Sequence, residues 1–256
     1  MSSIVGLPAF TDNYIWLLKN SDGTALVVDP GDAVPVEQAL KKYRFKLSGI
    51  LITHHHFDHV GGLKALKQQH DCPVYGPANP AIEGIDQVLA AGDELSVGDY
   101  NFDIIAVPGH TLDHIAYYQS GSNPVVFCGD TLFAGGCGRI FEGDPPMMYA
   151  SLGKLAALPA DTAVYCAHEY TLANLAFARA ADPDNRELQQ READAQALRA
   201  AGRPTVPSTI GLERATNPFL RSASEALRAG LIAAGRGTGR DSVEAFAELR
   251  AWKDKF

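Results

Sequence analysis

The segment Thr53-His54-His55-His56-Phe57-Asp58-His59 concentrates side chains that can bind metal ions. His54 and His56 are two residues apart, so both point to the same side of an extended segment. Asp58 and His59 are adjacent, so their side chains diverge and can serve a different ion. Neutral imidazole and carboxylate groups are both good ligands for zinc-like ions. Because four ligands in so short a segment can hardly reach one ion without strain, the spacing predicts two metal ions that share it.

Three more candidate ligands occur further along the chain. They are His110, Asp130 and His168, and each follows an apolar run that is typical of a β-strand. Two cations a few ångströms apart need a shared anion to offset their repulsion, and this role suits Asp130. The predicted ligands are His54, His56 and His110 for the first ion and Asp58, His59 and His168 for the second, with Asp130 as the bridge.

The remaining histidines are interpreted differently. A single histidine in a loop is usually a surface or hydrogen-bonded residue, but a dense cluster after apolar strands favours metal binding over coincidence. The alternation of the segment points His55 away from its neighbours, so we expect a supporting structural role for it. His114 is left outside the ligand set, and His70, at the end of a predicted helix, is expected to be solvated.

Short apolar runs predict the elements that must position these groups. Strands are predicted over 14–18, 25–28, 49–52, 103–107, 115–118, 125–128 and 163–166, and helices over 36–43 and 63–69. Four of the strands end just before a candidate ligand, so strand ends can deliver the ligands to one rim of the fold. Beyond residue 170, helix-forming residues predominate over 171–200, 222–234 and 242–253, with a proline-containing linker over 203–207 and a glycine-containing break over 235–239. We predict an α/β sandwich over residues 1–170, followed by a smaller all-helical domain over 171–256.

Composition and charge restrict the class of protein. The chain has 256 residues, of which 46% are hydrophobic and 20% charged, as in ordinary globular proteins. It has no apolar run of transmembrane length and its N-terminus does not resemble a secretory signal, so we expect a cytoplasmic protein that binds no membrane. A net charge of −8 without a basic cluster argues against nucleic-acid binding. The four cysteines form no Cys-x-x-Cys pair and are expected to be buried, reduced thiols, and we expect a monomer.

The pattern Thr-His-x-His-x-Asp-His at residues 53–59, followed by Gly61-Gly62, resembles the metallo-β-lactamase superfamily. All seven candidate ligands occur in the order typical of that superfamily. The resemblance implies an αββα sandwich with its metal ions at one edge. It also implies hydrolysis of an ester, thioester, lactam, lactone or phosphodiester, although some members carry out redox reactions.

Within that superfamily the chain resembles the glyoxalase II (hydroxyacylglutathione hydrolase) family along almost its whole length. The matching stretches are Thr11-Asp12-Asn13-Tyr14, Gly129-Asp130-Thr131-Leu132-Phe133, Gly136-Cys137-Gly138-Arg139, Phe141-Glu142-Gly143, Tyr165-Cys166-Ala167-His168-Glu169-Tyr170-Thr171, Asn217-Pro218-Phe219-Leu220-Arg221 and the ending Arg250-x-x-Lys253-Asp254-x-Phe256. The resemblance implies hydrolysis of S-(2-hydroxyacyl)glutathione thioesters, chiefly S-D-lactoylglutathione to D-lactate and glutathione, the second step of methylglyoxal detoxification. It also implies two divalent metal ions, with zinc preferred over iron or manganese.

The resemblance assigns the contacts to glutathione as well. The implied positions are Arg139, Phe141, Tyr170, Arg250 and Lys253. Glutathione carries two carboxylates, so a chain of net charge −8 must supply local cations, and arginine pairs well with carboxylates. The alternative is that Arg250 and Lys253 only form the solvated face of an amphipathic helix. A chain that ends near residue 210 is expected to keep its metal ions and to bind glutathione thioesters poorly.

Two positions depart from the pattern of the family. Phe141 stands where some members have tyrosine, which removes a hydroxyl group from the expected substrate contacts. Asp113 stands where glycine is expected. It could orient a ligand histidine, but we favour a solvated turn residue.

The expected mechanism uses water that the metal ions activate. Two divalent ions with Asp58, Asp130 and a bridging hydroxide keep about one positive charge, which lowers the pKa of bound water toward about 7. The hydroxide attacks the thioester carbonyl, a metal ion stabilises the oxyanion, and the glutathione thiolate leaves. Asp58 and Asp130 are therefore catalytic through the hydroxide. The open alternatives are another hydrolase of this fold, such as a lactonase, a β-lactamase or another thioesterase, a sulfur dioxygenase with one iron, and a metal-binding protein without catalysis.

Overall fold

The computed structural model describes residues 4–238 and 240–256. The first three residues of the N-terminal segment and Gly239, which ends the glycine-containing break, lie outside the described residues. Contacts along the chain divide it into two compact units. The first comprises the described part of Met1–Ala106 with Asp113–Gly129, and the second comprises Val107–Leu112 with Asp130–Phe256.

The first unit contains a six-stranded sheet. Its strands are β1 (Ile4–Ala9), β2 (Asn13–Lys19), β3 (Thr24–Val28), β4 (Lys46–Leu51), β5 (Val74–Pro77) and β6 (Gln87–Leu89), and they lie side by side in that order. The pairs β1–β2 and β2–β3 are antiparallel, whereas β3–β4, β4–β5 and β5–β6 are parallel. Parallel strands need crossover connections, and helices α1 (Ala33–Tyr43), α2 (Phe57–Val60) and α3 (Leu63–His70) lie in two of them.

Strands β3 and β4 are rich in apolar residues because the sheet is covered by other elements of the unit. On one side its residues pack with Val36 and Leu40 of α1 and with Leu63 and Leu66 of α3. The same unit also holds an antiparallel ladder of β7 (Glu94–Val97), β8 (Tyr100–Ala106), β9 (Ile115–Gln119) and β10 (Val125–Gly129). The buried Tyr117 of β9 joins the two, since its hydroxyl donates to the carbonyl oxygen of Ile52 at 2.8 Å.

The second unit contains short strands and most of the helices. Its strands are the hairpin β11 (Leu132–Phe133) and β12 (Gly136–Cys137) and the antiparallel pair β13 (Ala163–Cys166) and β14 (Ser208–Thr209). Its helices are α4 (Pro145–Ala156), α5 (Thr171–Ala181), α6 (Arg186–Ala200), α7 (Ile210–Thr216), α8 (Glu225–Ala233) and α9 (Ser242–Lys253). The side chains of Asp144, Asn185 and Asp241 accept backbone N–H bonds in the first turns of α4, α6 and α9, which defines where these helices begin.

The predicted strands and most of the predicted helices are confirmed, with bounds that differ by three residues or fewer. The single helical stretch predicted over 171–200 is wrong in one respect, because it contains two helices. Pro183 and the cap residue Asn185 lie in the break between α5 and α6. The sequence interpretation also missed α4, whose first residues are the proline pair Pro145-Pro146. Prolines are tolerated there because the first turn of a helix needs no backbone donor.

The four cysteines are buried and carry no disulfide among the described residues, as predicted. Burial raises the pKa of Cys72 to about 11 and the pKa of Cys166 to about 12. Both thiols therefore stay protonated and unreactive near neutral pH. In the part of the chain that is described, no helix combines the length and the apolar character that a membrane span needs.

Candidate metal centre

The histidine-rich segment 53–59 follows β4 and continues into α2. His54 and His59 are buried, and their ring centroids are 4.0 Å apart. The ring of His56 lies 4.8 Å from that of His54, which agrees with the predicted alternation. The predicted divergence of Asp58 and His59 is wrong, since Asp58 Oδ2 is 3.5 Å from His59 Nε2. The reason is that the first turn of α2 replaces extended chain at these two residues.

Close backbone packing holds this segment in place. A Cβ atom on Gly31 would lie 1.9 Å from the carbonyl oxygen of Asp58. A Cβ atom on Gly61 would lie 2.5 Å from the carbonyl oxygen of Gly31. Only glycine lets two backbone segments approach so closely, so a side chain at either position would displace Asp58.

Buried Asp29, which the sequence interpretation missed, orients two of the histidines. Its carboxylate accepts bonds from the backbone nitrogen and the hydroxyl of Thr53, at 2.8 and 2.7 Å. Asp29 Oδ2 lies 3.0 Å from His59 Nδ1, and Thr53 Oγ1 lies 3.0 Å from His54 Nδ1. A partner on one ring nitrogen fixes the ring and prepares the other nitrogen for a metal ion. Asp29 directly follows β3, so the rule of polar residues at strand ends could have found it.

Two further residues near the segment, Asn13 and His114, were given no role in the metal site by the sequence. Asn13 Nδ2 donates to Asp58 Oδ2 at 2.8 Å, which fixes the orientation of that carboxylate. The ring of His114 stacks on that of His54, with centroids 4.5 Å apart and planes 14° apart. His114 is therefore a packing partner of a predicted ligand.

The prediction that Asp113 is a solvated turn residue is wrong. Its side chain is only 5% exposed, and its Oδ1 lies 3.0 Å from His55 Nδ1. Its other oxygen accepts a bond from Asn79 Nδ2 at 2.8 Å. These contacts agree with the supporting role expected for His55. His70, which was predicted to be solvated, is partly exposed at the end of α3, and its Nε2 lies 2.7 Å from Glu37 Oε1.

Replacing Asp113 with asparagine is expected to lower the free energy of unfolding by about 1–3 kcal/mol, the range for a buried polar group that loses its partner. Asparagine has an acceptor oxygen at only one of the two positions, so it cannot accept hydrogen bonds from His55 and Asn79 as the two carboxylate oxygens do. Urea unfolding measures the loss, with Asp103→Asn on the exposed side of β8 as the matched control. Equal unfolding midpoints for the two variants would contradict the structural role of Asp113.

The second unit supplies the other three predicted ligands. Asp130 Oδ2 lies 3.4 Å from His110 Nε2 and 3.3 Å from His168 Nε2, and all three side chains are buried. His110 Nδ1 lies 2.8 Å from the carbonyl oxygen of Arg139, so it can donate there while Nε2 faces Asp130. A Cβ atom on Gly138 would lie 2.0 Å from the carbonyl oxygen of Asp130, so the backbone beside this carboxylate requires glycine.

Histidine and carboxylate side chains form groups that could hold a metal ion. In the first unit these side chains are His54, His56, Asp58 and His59, and in the second unit they are His110, Asp130 and His168. Together they are the seven predicted ligands. Imidazoles oriented through one nitrogen, combined with the carboxylates of Asp58 and Asp130, are a donor set that fits divalent metal ions.

Two aromatic residues implied by the resemblance contact histidines of the second unit. The ring of Tyr170 stacks on that of His168, with centroids 4.6 Å apart and planes 4° apart. The ring of Phe141 meets His110 edge-on at 5.2 Å. Both aromatic side chains are partly exposed, so each presents a surface beside a predicted metal ligand.

Three cationic side chains, those of Arg139, Arg250 and Lys253, lie near the end of α9. Arg250 is buried and donates to the carbonyl oxygen of Cys137 at 3.0 Å and to Asp254 Oδ1 at 2.9 Å, so it does not lie on a solvated helix face. Burial lowers the pKa of Lys253, and the positive charges of Arg250 and Arg139 lower it further. Asp254 and Cys137 oppose this shift of the Lys253 pKa. Crowding of like charges in this way favours the binding of an anion.

The sequence matches two family models that together span most of the chain. Residues 9–168 match the Metallo-beta-lactamase superfamily, and residues 169–256 match the Hydroxyacylglutathione hydrolase C-terminus. The hydroxyacylglutathione hydrolase of Pseudomonas fluorescens is 53% identical over 258 residues and covers 100% of both chains. That of Chromohalobacter salexigens is 51% identical over 257 residues, again with 100% of both chains covered.

Solved structures give a similar picture of the fold. ETHE1 from Myxococcus xanthus is 25% identical, with a TM-score of 0.66, and the match covers 98% of this chain and 99% of that one. TTHA1623 in a di-iron-bound form is 27% identical, with a TM-score of 0.60, and the match covers 85% of this chain and 99% of that one.

Proposed function

This chain belongs to the hydroxyacylglutathione hydrolase family of the metallo-β-lactamase superfamily, and we propose that it hydrolyses S-D-lactoylglutathione at a centre of two zinc ions. The predicted family, fold class and metal-dependent hydrolase activity on hydroxyacylglutathione are confirmed by relatives that are 53% and 51% identical over the full chain. The proposal of a two-zinc centre rests mainly on the position of Asp130. One of its two carboxylate oxygens, Oδ2, faces the imidazoles of both His110 and His168.

Divalent metal ions follow from the metallo-β-lactamase fold and its clusters of histidine and aspartate. The proposed ligands are His54, His56 and His110 for one ion, Asp58, His59 and His168 for the other, and Asp130 for both. Zinc suits this donor set, and iron is the first alternative because the similar protein TTHA1623 has a di-iron-bound form. Bound there, the ions would lower the pKa of water toward neutrality and polarise the thioester carbonyl.

The chain's own side chains keep this centre oriented. Asn13 donates to Asp58 Oδ2 and so fixes the direction of that carboxylate. Thr53 and the carbonyl oxygen of Arg139 hold the outer nitrogens of His54 and His110. The leaving group is the glutathione thiolate, which leaves readily because its thiol has a pKa near 8–9. No side chain of the set therefore has to act as a nucleophile.

We propose residues 1–170 as the catalytic domain and 171–256 as the helical domain that binds glutathione. The boundary is supported by the two family models, which meet between residues 168 and 169. The lowered pKa of Lys253 beside Arg139 and Arg250 supports a site for the glutathione carboxylates. Tyr170 and Phe141 would line the path from that site to the ligands, since they contact His168 and His110.

The affinity for glutathione is expected to fall as the pH rises. The fall should begin at a lower pH than it would if Lys253 had the ordinary pKa of a lysine. Burial and the charges of Arg250 and Arg139 lower the pKa of Lys253, so its positive charge is lost as the pH rises through this lowered value. The inhibition constant of the thioether S-methylglutathione should therefore begin to rise at a pH below the ordinary lysine pKa of about 10.4. Lys253→Arg should remove the rise, because arginine keeps its charge throughout. An unchanged profile in that variant would refute the role of Lys253.

Hydrolysis of a substrate panel, with metal content measured on the same preparation, tests the proposed function. The panel holds S-D-lactoylglutathione, a thioester without the glutathione part, a lactone and a β-lactam. The highest kcat/KM for S-D-lactoylglutathione, with about two zinc ions per chain, is the expected result. Oxygen uptake with glutathione persulfide by a protein with one iron would favour a sulfur dioxygenase instead. The monomeric state, the cytoplasmic location and the absence of nucleic-acid and membrane binding stay predictions.

A further inference from the structure

We infer that Glu213 of α7 is a positioning residue that holds the β11–β12 hairpin and, through it, the ligands His110, Asp130 and His168. This inference rests on the metal centre of the proposed function. It extends that centre to the helical segment, whose role in the sequence interpretation was limited to glutathione.

The carboxylate of Glu213 is fully buried and surrounded by donors. Its Oε2 accepts from the backbone nitrogen of Gly135 at 2.9 Å and from Asn217 Nδ2 at 3.0 Å. Its Oε1 accepts from the guanidinium of Arg191 and the hydroxyl of Ser208. Removing a charge from water is costly unless donors satisfy it on all sides, as they do here. The position of Gly135 is therefore tied to a carboxylate that four groups hold in place.

The rest of the hairpin is held by side chains in the same way. Strands of two residues cannot form a stable hairpin by themselves, so outside contacts must fix this one. Asn217 Nδ2 lies 3.3 Å from the carbonyl oxygen of Phe133 and 2.9 Å from that of Gly136. Asn174 of α5 donates to Ala134 O at 3.3 Å, and Arg250 of α9 donates to Cys137 O at 3.0 Å. Residues beyond 170 thus hold the main chain of the hairpin at several successive points.

The hairpin in turn contacts all three ligands of the second unit. Asp130 lies two residues before β11, and Gly138, one residue after β12, packs against its carbonyl oxygen. The carbonyl oxygen of Arg139, the next residue, faces His110 Nδ1 at 2.8 Å. The ring of Phe133 in β11 meets the ring of His168 edge-on at 5.7 Å. A shift of the hairpin would therefore move or release each of these ligands.

The alternative is that the Glu213 network only stabilises the helices. The two roles differ in metal affinity, because outer residues that orient ligands typically change it by about 10- to 100-fold when they are mutated. A purely structural network would change the unfolding temperature and leave the affinity of the folded protein as it was. The inference also reverses one expectation from the sequence, since a chain that ends near residue 210 would lack Glu213 and bind metal poorly.

Zinc affinity of the full-length chain, measured by competition with a chelator, tests the inference. Glu213→Gln replaces a carboxylate oxygen with an NH₂ group, which would face donors such as the backbone nitrogen of Gly135. Asn174→Ala removes a longer hydrogen bond, at 3.3 Å, to the carbonyl oxygen of Ala134 in the same hairpin. Asn185→Ala is the matched control, because this half-buried cap bonds to α6, Asp182 and Ala215 and makes none of the described contacts to the hairpin. We expect about tenfold weaker binding of at least one zinc ion in Glu213→Gln, and a smaller loss in Asn174→Ala. The control should lower the unfolding temperature of the metal-free protein and keep the zinc affinity of the unmodified chain.

The cobalt-loaded protein gives a second readout, since its visible absorption should change in Glu213→Gln and not in Asn185→Ala. Unchanged zinc affinity in both Glu213→Gln and Asn174→Ala, together with a lower unfolding temperature, would overturn the inference. If Glu213→Gln does not fold, Asn174→Ala alone decides the question. Failure of the proposed metal centre would give a different result, because the unmodified chain itself would then bind no pair of zinc ions. In that case the inference about Glu213 would fail as well.

Discussion

Replacing Asp130 with alanine is expected to remove at least one zinc ion and to lower kcat/KM for S-D-lactoylglutathione by about 10³-fold or more. Asp130 is the only carboxylate proposed to serve both ions, and its Oδ2 faces two imidazoles at 3.4 and 3.3 Å. Without that negative charge, two adjacent cations would repel each other without compensation. Loss of a metal ion removes several kcal/mol of transition-state stabilisation, and about 1.4 kcal/mol corresponds to a factor of ten in rate.

Metal content and kcat/KM measured on the same samples check this result. Asp161→Ala, at an exposed aspartate of the same unit, is the matched control and should keep both values. Asp130→Asn separates charge from shape, because it keeps the volume of the side chain and loses the charge. Two bound zinc ions together with near-normal turnover in Asp130→Ala would show that the bridging role is wrong.

Replacing Lys253 with methionine is expected to raise KM for S-D-lactoylglutathione about tenfold or more and to leave kcat nearly unchanged. A hydrogen bond to a charged group contributes about 1.5–3 kcal/mol, and about 1.4 kcal/mol changes an affinity tenfold. The glutathione carboxylates lie away from the reacting bond, so they are bound equally in the ground state and the transition state. Lys253 donates to the carbonyl oxygen of Ala173 in α5, whereas Arg250 holds the carbonyl oxygen of Cys137 in the hairpin that follows Asp130. Lys253 is therefore the cleaner probe of glutathione binding.

Two comparisons make the Lys253 result decisive. Lys255→Met, at the exposed end of the chain, should leave KM unchanged. A lactoyl thioester of N-acetylcysteamine, which lacks both carboxylates of glutathione, should be hydrolysed equally well by Lys253→Met and by the unmodified chain. An equal loss on both substrates would place the effect of Lys253 at the reacting centre and not at glutathione.

Asp29 and Asp113 show where interpretation of the sequence stopped. Asp29 contacts Thr53, and Asp113 contacts His55 and Asn79, so each acts on residues that are distant along the chain. The residue type alone is equally typical of a turn, which is how Asp113 was interpreted. Glu213 is a similar case, because nothing in the helical pattern of α7 indicates that its carboxylate reaches Gly135.

The sequence by itself determined seven of the strands, their polar ends and the order of the histidine and aspartate residues, because apolar periodicity and donor type are local properties of a chain. His54 and His56 came together as their spacing predicted, since two residues in extended chain point the same way. Only the tertiary structure decided which polar residues are buried beside them. Contacts such as Asn13 with Asp58, or Glu213 with Gly135, depend on how distant segments pack, and no local pattern encodes that packing.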